Sequence, residues 1–469
     1  MDLKLLIDGA LVDGATTIDV INPATGKAFA KSPKADVTQA EAAIAAAKRA
    51  FPAWAALPFP DRAKKVGAFA AAIEARKDEF ARLVTMEVGK PIVEAGFEVA
   101  ETIHALQFFA SQDLQPKVLR DNAEELIIEQ RYPQGVVAAI TPWNFPLALL
   151  SYKIGAALVA GNTVISKPAP TTPLTTLLLG EIASEFFPAG VFQTLVDENE
   201  LGPLLTSHPD IAHVSFTGST PTGKKVLGSA ADTLKRFTLE LGGNDAAIVL
   251  DDIDVKEMAP KIFFAAFINA GQVCFATKRI YAPRAMVEEL AAELGRLADE
   301  AIVGDGLDQG TTIGPIQNKT QYDKVMGFIE SAREEGGTFV AGGYAMEGDG
   351  YFIRPTIVTG LAHDARLVRE EQFGPVLPIL PYDSVEEAIR YANEMEYGLG
   401  GIIWTGDAER GAEVASKIET GTIWVNRHLV LPKDIPFGGA KQSGIGVQNG
   451  IEGIEDFTQR RVLNVKKGA

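Results

Sequence analysis

The chain alternates short β-branched runs with helical patterns from about residue 135 onward, and this alternation limits the possible folds more than any other feature. Five such runs come first, and most of them end at Gly, Pro or Ser: GVVAAITP, NTVISKP, VFQTLVD, IAHVSFTGS and FTLELGG. Helical patterns such as LTTLLLGEIASEFF separate them. Strands that alternate with helices predict a parallel sheet covered by helices on both faces, which places the chain in the α/β class.

A second series of the same kind begins near Asp245 and runs to about Asn426. Its runs are DAAIVLDD, KRIYAP, FIRPTIV, PVLPILPY, GGIIWTG and TIWVN, and helices such as MVEELAAELGRLADEAI lie between them. The full length of 469 residues fits about two or three domains. We therefore expect a second α/β unit after the first.

The first part of the chain is alanine-rich and helical. The pattern TQAEAAIAAAKRAF predicts a helix that opens at Thr38, with Thr38 and Glu41 at capping-box spacing. A long helical pattern follows over Asp61–Lys90. The period then changes to two in NAEELIIEQRYPQG, which predicts a strand with one solvated face. The tail TQRRVLNVKK alternates in the same way, as a strand that pairs either with another subunit or within the chain.

Composition excludes several classes of partner. Lys and Arg total 44 against 61 Asp and Glu, so the net charge of −17 argues against nucleic acid or an anionic membrane as the main partner. The N-terminus lacks the basic and apolar regions of a signal peptide. The most apolar stretch is interrupted by Lys153 and is too short for a membrane span. A single cysteine allows no internal disulfide, which fits a reducing cytoplasm, so we expect a cytoplasmic protein.

Candidate functional residues follow the predicted strands, because ligands of parallel sheets bind at the carboxyl ends of the strands. Asn144 follows the first strand and Lys167 the second. Gly218 and Ser219 lie at a strand–turn–helix junction, where free N–H groups favour an anion, although the spacing is not GxGxxG. Glu240 closes a strand before two glycines and is a candidate base. Each has an ordinary alternative, as a turn residue or a solvent-facing side chain.

Cys274 is the only cysteine and lies in FINAGQVCFATKRI. A lone cysteine is usually a small buried hydrophobe, and the alternative is a nucleophile. Together, a thiol, a carboxamide, a carboxylate and an anion site are the parts needed to oxidise an aldehyde. The thiolate adds to the carbonyl, an amide stabilises the oxyanion, hydride leaves to a nicotinamide and a base activates water.

Seven motifs in order resemble those of the NAD(P)-dependent aldehyde dehydrogenase family: TPWNFPL, GNTVISKPAPTTPL, FTGSTPTGKK, LELGGND, GQVC, EEQFGPVLPI and PFGGAKQSGIG. The resemblance implies a Rossmann-like cofactor-binding domain over residues 1–118 and 138–243, and a second α/β catalytic domain over 244–432. It also implies a small β-sheet for oligomerisation, from residues 119–137 and 455–469, in a homodimer or homotetramer.

The resemblance also implies roles for single residues. Cys274 would be the nucleophile, Glu240 the general base, and Asn144 would form the oxyanion site with the Cys274 backbone N–H. The residues expected to bind the cofactor are Trp143, Lys167, Gly218, Ser219, Glu371 and Phe373. The residues expected to line the aldehyde pocket are Phe145, Leu149, Tyr152, Ile268, Val273, Phe275 and Leu431. No metal is implied.

The mostly apolar and aromatic pocket residues favour a hydrophobic aliphatic or aromatic aldehyde. Arg427 and His428, in NRHLVLP, could instead bind a carboxylate, which leaves a carboxylated semialdehyde as an alternative. A coenzyme A-acylating enzyme is a further alternative, against which the retained Glu240 argues, because that side chain is suited to activate water.

Two positions depart from the pattern of the family. Many NAD-using members carry a glutamate three residues after the ribose-binding lysine, and this chain has Pro170 there. NAD is therefore the expected cofactor, with NADP possible. Many members also carry a glutamate shortly after the SGxG turn, where this chain has Gln448, which cannot take up a proton. Glu240 would then act without that help.

Overall fold

A computed structural model describes residues 2–229 and 231–468. The strands in chain order are β1 (Leu5–Ile7), β2 (Ala10–Val12), β3 (Thr16–Asn22), β4 (Lys27–Lys34), β5 (Lys117–Asp121), β6 (Glu125–Pro133), β7 (Val136–Ile140), β8 (Thr163–Lys167), β9 (Phe192–Thr194), β10 (Ile211–Thr217), β11 (Arg236–Glu240), β12 (Ala246–Val249), β13 (Arg279–Pro283), β14 (Thr338–Ala341), β15 (Thr356–Thr359), β16 (Val376–Tyr382), β17 (Tyr397–Gly398), β18 (Gly400–Trp404), β19 (Thr422–Val425), β20 (Ala440–Lys441), β21 (Gly444–Ile445) and β22 (Thr458–Lys466).

The α-helices surround these strands. They are α1 (Val37–Ala55), α2 (Phe59–Ala75), α3 (Lys77–Val88), α4 (Ile92–Ser111), α5 (Pro146–Ala160), α6 (Leu174–Ala183), α7 (Gly202–Ser207), α8 (Thr220–Ser229), α9 (Val255–Phe267), α10 (Val287–Glu300), α11 (Lys319–Glu334), α12 (Arg366–Arg369), α13 (Val385–Asn393), α14 (Ala408–Ala415) and α15 (Gly450–Asp456). In the described part of the chain, no helix is long and apolar enough to cross a bilayer.

The first large sheet has eight strands in the order β2-β1-β9-β8-β7-β10-β11-β21. Its five central strands, β9-β8-β7-β10-β11, are parallel, and antiparallel strands form both edges. Every residue of β7 and β8 is buried, as expected for strands covered by helices on both faces. The carboxyl ends of these parallel strands therefore meet at one edge, where the candidate residues follow them.

The second large sheet has seven strands in the order β14-β15-β16-β13-β12-β18-β19. All of its neighbouring pairs are parallel except β14 with β15. Each large sheet packs into its own hydrophobic core. The α/β class and the two successive α/β units that the alternation predicts are confirmed.

A three-stranded antiparallel sheet, β22-β6-β5, lies apart from both cores. The tail strand β22 pairs with β6 over its whole length, so this strand pairs within the chain. β5 and β7 each begin two residues before the predicted segment boundaries at 119 and 138, at Lys117 and Val136. The division into domains remains a prediction.

The first helices differ from the prediction in detail. α1 is capped by Asp36, whose side chain accepts from the Gln39 N–H, while Gln39 bonds back to the Asp36 backbone. The capping box is therefore Asp36 with Gln39, not Thr38 with Glu41, because the extended backbone that a cap requires occurs at Asp36. The long helical pattern over 61–90 is also interrupted between α2 and α3, at Arg76.

Candidate active site

A cavity of about 230 Å³ lies at the carboxyl ends of β10 and β11, whose last residues Thr217 and Glu240 line it. Cys274 lines the same cavity. The other lining residues are Glu94, Phe97, Glu98, Glu101, Asn144, Phe145, Ala148, Leu149, Tyr152, Ile268, Val273, Phe275, Leu429, Leu431, Phe437, Gln448 and Asn449. The cavity therefore lies where strand-end residues of the eight-stranded sheet meet the segment that carries the cysteine.

The structure brings the three candidate catalytic residues, Cys274, Glu240 and Asn144, to this one cavity. All seven predicted pocket residues line it as well: Phe145, Leu149, Tyr152, Ile268, Val273, Phe275 and Leu431. These residues come from separate stretches of the chain, and only the tertiary fold joins them. Their catalytic and binding roles remain predictions.

Cys274 lies in a segment, residues 268–275, that we call the cysteine loop. Its backbone is left-handed at Asn269, Ala270 and Gly271, with φ of 51°, 53° and 73°. Glycine is required at Gly271, because a Cβ there would lie 2.4 Å from the carbonyl oxygen of Gly374. Left-handed backbone at the two non-glycine residues costs free energy that other contacts must offset.

Buried polar side chains supply those contacts. Lys278 Nζ donates to the carbonyl oxygens of Gly271, at 2.9 Å, and Val273, at 2.6 Å. Glu94 Oε2 accepts from the backbone N–H of Asn269 at 2.9 Å. The cysteine loop is therefore fixed by charged groups from both sides, which holds the thiol in one position for chemistry.

Glu240 is the last residue of β11 and is only 4% exposed. Neither of its carboxylate oxygens has a hydrogen-bond partner among the described residues. Burial raises the pKa of Glu240 to about 8, against the opposing effect of the Lys153 cation. A carboxylate with these properties can take up and release a proton near neutral pH, as a general base must.

Lys153 is fully buried on α5, and its Nζ lies 3.1 Å from Ser215 Oγ. Burial lowers the pKa of Lys153 to about 7, while the charge of Glu240 opposes that shift. In the sequence this lysine is visible only as an interruption of an apolar stretch. Its position near Glu240 depends on the packing of α5 against β7 and β8 of the eight-stranded sheet, which sequence reasoning did not predict.

Asn144 is 3% exposed and its carboxamide is held beside the cysteine loop. Its Nδ2 donates to the carbonyl oxygen of Gln272 at 2.9 Å. Its backbone carbonyl accepts from Lys90 Nζ at 2.8 Å and from Asn269 Nδ2 at 3.1 Å. A carboxamide nitrogen carries two hydrogens, so the second remains for a ligand oxygen in the cavity.

The thiol of Cys274 is partly buried and makes no disulfide. Burial, followed by the negative charge of Glu240, raises the pKa of Cys274 above its ordinary value. Because the thiolate is the reactive form, the proton has to pass to a neighbouring group before the sulfur can attack. Glu240, whose pKa is also raised, lines the same cavity and is a candidate for that group.

Three acidic residues of α4 also line the cavity, and sequence reasoning missed them. Glu94, Glu98 and Glu101 follow one another at helical spacing, so they share one face of α4. Glu98 is fully paired, with Lys90 Nζ at 2.6 Å and the Leu147 N–H at 2.9 Å. Their spacing was readable in the sequence, but which element that face meets was not.

The strand–turn–helix junction after β10 is formed as predicted. The Gly218 N–H donates to the carbonyl oxygen of Glu240 at 3.0 Å, and Ser219 Oγ lies 2.9 Å from Thr222 Oγ1 at the start of α8. At Gly223 a Cβ would lie 2.5 Å from the side chain of Leu241, so the first turn of α8 packs closely on that residue. An exposed helix start of this kind favours an anion.

Lys167 is the last residue of β8 and is buried, at 3% exposure. Its Nζ lies 2.5 Å from Asp197 Oδ1 and 3.5 Å from Asn199 Oδ1. Pro170, three residues further on, is half-buried. Asp197 was not singled out from the sequence, although it follows the next strand of the same sheet.

Glu371, Phe373 and Trp143 lie where the two α/β units meet. Glu371 Oε1 accepts from the Gly243 N–H at 3.2 Å. The rings of Trp143 and Phe373 contact edge to face, with centroids 5.4 Å apart. These contacts join the segments after β7 and β11 to the segment before β16, as expected for residues on both sides of one cleft.

Three further residues singled out from the sequence lie in different places. Gln448 lines the cavity, near Glu240, because β21 pairs with β11. Arg427 lines two other cavities and is not among the residues around Cys274. Burial lowers the pKa of His428 to about 3, so this ring is neutral, and it packs against Trp424 with ring centroids 5.0 Å apart.

Comparisons with known proteins agree over nearly the whole chain. The model of the aldehyde dehydrogenase family matches residues 11–463. A betaine aldehyde dehydrogenase of Rhizobium etli is 36% identical over 98% of this chain and 97% of its own. An aldehyde dehydrogenase from Bacillus cereus, solved as an NAD+ complex, superposes with a TM-score of 0.97 at 35% identity, over 99% of this chain and 97% of that chain. A betaine aldehyde dehydrogenase from Staphylococcus aureus, also in complex with NAD+, gives a TM-score of 0.97 at 32% identity over 100% and 96%. The chain therefore belongs to the aldehyde dehydrogenase family.

Proposed function

We propose that this protein oxidises an aldehyde to the carboxylic acid with NAD(P)+, through a thiohemiacetal and then a thioester on Cys274. One observation carries the proposal. Cys274, the carboxamide of Asn144 and the unpaired, buried carboxylate of Glu240 line one cavity. Membership of the aldehyde dehydrogenase family supports the same reaction.

The residues of this chain fit a dinucleotide in their chemistry. Lys167 and Glu371 offer an amine and a carboxylate to the two riboses, and the start of α8, which follows Gly218 and Ser219, offers N–H groups to a pyrophosphate. Trp143 and Phe373 present aromatic faces at the meeting of the two units. Solved relatives with TM-scores of 0.97 hold NAD+. A nicotinamide bound there would supply the hydride acceptor for the oxidation of the aldehyde carbon.

In the proposed mechanism, each residue around the cavity has a separate role. Cys274 Sγ forms a bond to the carbonyl carbon, and its proton passes to a neighbouring group. Asn144 Nδ2 and the Cys274 N–H donate to the oxygen that becomes negative, which lowers the barrier in both addition steps. After hydride loss leaves a thioester, Glu240 takes a proton from water, the water oxygen attacks the carbonyl, and the carbon–sulfur bond breaks to release the acid.

We assign the domains on the same basis. Residues 1–118 and 138–243 form the cofactor-binding domain around the eight-stranded sheet, and 244–432 form the catalytic domain. Residues 119–137 and 455–469 form the oligomerisation segments of a homodimer or homotetramer. The exposed apolar side chains of the three-stranded sheet support this role: Val118, Leu119, Tyr132, Val462, Leu463 and Val465.

The cavity walls favour an aldehyde with an apolar or aromatic tail. Phe145, Tyr152, Phe275 and Phe437 supply rings, and aliphatic side chains supply most of the rest. No Lys or Arg side chain lies among the described residues that line this cavity, and Arg427 lies elsewhere. A substrate carboxylate would find no unpaired cation, which argues against a carboxylated semialdehyde.

A second candidate substrate is an aldehyde that carries a quaternary ammonium group. Relatives named betaine aldehyde dehydrogenase favour it, and aromatic rings with nearby carboxylates are the groups that bind such cations. Glu94 is a carboxylate of this cavity, and its Oε2 accepts from the backbone N–H of Asn269. Coenzyme A acylation is the less favoured alternative, because Glu240 is suited to activate water.

A panel of aldehydes tests the proposal. Hexanal, benzaldehyde, betaine aldehyde and succinic semialdehyde would each be incubated with NAD+ and with NADP+, and reduced cofactor and acid product measured. We expect turnover with at least one of the first three and the least with succinic semialdehyde. Addition of coenzyme A should leave the acid product unchanged. No reduction of cofactor with any aldehyde would contradict the proposed function.

A further inference from the structure

The adenosine end of the proposed cofactor site lacks one expected group. A site that selects NAD over NADP needs an acceptor for the ribose hydroxyls and a negative charge that repels a 2′-phosphate. Pro170 stands where many relatives carry that carboxylate, and its ring offers neither function. From the sequence alone, this position therefore leaves NADP possible.

The fold supplies a carboxylate from another strand. Asp197 is fully buried and lies three residues beyond the end of β9, which runs parallel to β8. Its Oδ1 lies 2.5 Å from Lys167 Nζ, and its Oδ2 accepts from the Leu201 N–H at 2.7 Å. Oδ1 is fully buried and faces the Lys167 cation, so the charge of that lysine is already paired.

The described lysines that contact the loop after β9 are already paired with carboxylates. Glu198 and Glu200 both contact Lys34 Nζ, at 2.5 Å and 2.7 Å. With Asp197 on Lys167, two lysines face three carboxylates within this loop and its contacts. A 2′-phosphate placed here would meet excess negative charge, and the lysine nearest to it is already paired.

We propose that Asp197 replaces the carboxylate missing at Pro170 and makes this protein selective for NAD over NADP. The inference rests on the proposed function, because it requires the adenosine ribose to bind beside Lys167. Asp197 pairs with Lys167, so a 2′-phosphate finds no free charge on this lysine and brings a dianion near a buried carboxylate. Selectivity then comes from the end of β9 and not from the segment after β8.

The test is direct binding of cofactor fragments to the whole protein by isothermal titration calorimetry. ADP-ribose and its 2′-phosphorylated form serve as probes, so the result does not depend on turnover. Asp197→Asn removes the charge and keeps an oxygen for the Leu201 N–H, and Asp197→Ser is the second variant if that protein does not fold. Glu198→Gln is the matched control, an exposed acid of the same loop whose charge pairs with Lys34.

We expect wild type to bind ADP-ribose at least about tenfold more tightly than its 2′-phosphate, and Asp197→Asn to narrow that ratio by about tenfold, chiefly by tightening the phosphorylated ligand. Glu198→Gln and Pro170→Glu should change the ratio by less. An unchanged ratio in both Asp197 variants, with ADP-ribose affinity still reduced by Lys167→Ala, overturns this inference alone. If neither probe binds, or Lys167→Ala alters neither affinity, the cofactor site of the proposed function fails with it.

Discussion

Glu240 and Asp197 are buried carboxylates at the same edge of the eight-stranded sheet, yet their surroundings differ. Glu240 faces the cavity with both oxygens unpaired, and burial raises its pKa to about 8. Asp197 lies against Lys167 and accepts from a backbone N–H. An unpaired buried carboxylate suits proton transfer, whereas one held by a cation suits binding and exclusion of charge. The pairing partner, more than the strand-end position, decides the role.

The largest expected effect is that of Cys274→Ala, which should abolish activity in the cavity and leave cofactor binding beside Asp197 intact. Cys274→Ala removes the proposed nucleophile in the cavity, so aldehyde oxidation should vanish because no thioester can form. ADP-ribose binding at the Asp197 end should be unchanged, as measured by calorimetry. Wild type treated with an alkylating reagent should lose activity as its single thiol is modified. Appreciable aldehyde oxidation by Cys274→Ala would contradict the assignment of the nucleophile.

Glu240→Gln should reduce turnover by about a hundredfold or more, the usual range for loss of a general base. Because the base acts when ionised, wild-type deacylation should rise with pH through about 8, and the variant should lose that rise. Glu101→Gln, a change at a paired glutamate of the same cavity, is the control and should keep the wild-type pH profile. A variant that turns over normally would mean that another group activates water.

The same substitution has a stability readout. The folded-state pKa of Glu240 lies above its ordinary value of 4.5, so the folded protein holds this proton more tightly than the unfolded chain. Wild-type stability should therefore fall relative to Glu240→Gln as the pH rises from about 4.5 to about 8, and the difference should then level off. Thermal unfolding of both proteins across this range measures it.

Asn144→Ala should lower kcat by about a hundred- to a thousandfold, the cost of one oxyanion donor. Thr217→Val is a matched control, because it also removes a polar group from the cavity wall with little change of shape. Single-turnover measurements should place the loss in thioester formation and hydrolysis, not in cofactor binding. Equal losses in the two variants would mean that polarity of the wall, and not oxyanion donation, is what matters.

Gln448→Glu should have the smallest effect, within about threefold of wild type at pH 8, since the proposed mechanism uses Glu240 as the only base. A second carboxylate in the cavity should raise the pKa of Glu240 further, and so move the pH profile upward. The pH profile of kcat for wild type and Gln448→Glu is the measurement that checks this prediction. A shift of the pH profile to lower pH would indicate that the introduced carboxylate transfers a proton and does not act through its charge.

The strand-end candidates could be predicted because their places depend on local pattern. Asn144, Lys167, Gly218 and Glu240 each follow a readable strand, and parallel strands bring their carboxyl ends to one edge. The capping box of α1 and the break between α2 and α3 were misjudged, because more than one register satisfies the same local spacing.

The acidic face of α4 could not be assigned from the sequence. In the sequence, the spacing of Glu94, Glu98 and Glu101 is typical of an ordinary solvated helix face. In the structure, α4 packs against α5 and the cysteine loop, and these residues line the cavity. Glu98 pairs with Lys90 and accepts hydrogen bonds from the backbone N–H groups of Leu147 and Ala148 at the start of α5. A helix face shows its period in the sequence, but not the element that covers it.

The sequence by itself determined the α/β class, the order of the two units, the single possible thiol and the residues at each strand end, because these depend on periodicity, composition and short motifs. Only the tertiary structure decided which buried charges are paired. Glu240 has no hydrogen-bond partner among the described residues, and Lys153 lies near it. Asp197, which follows β9, pairs with Lys167 at the end of β8. The physical reason is that burial and pairing depend on segments distant in the chain, and they set proton affinity and charge selectivity more strongly than residue type does.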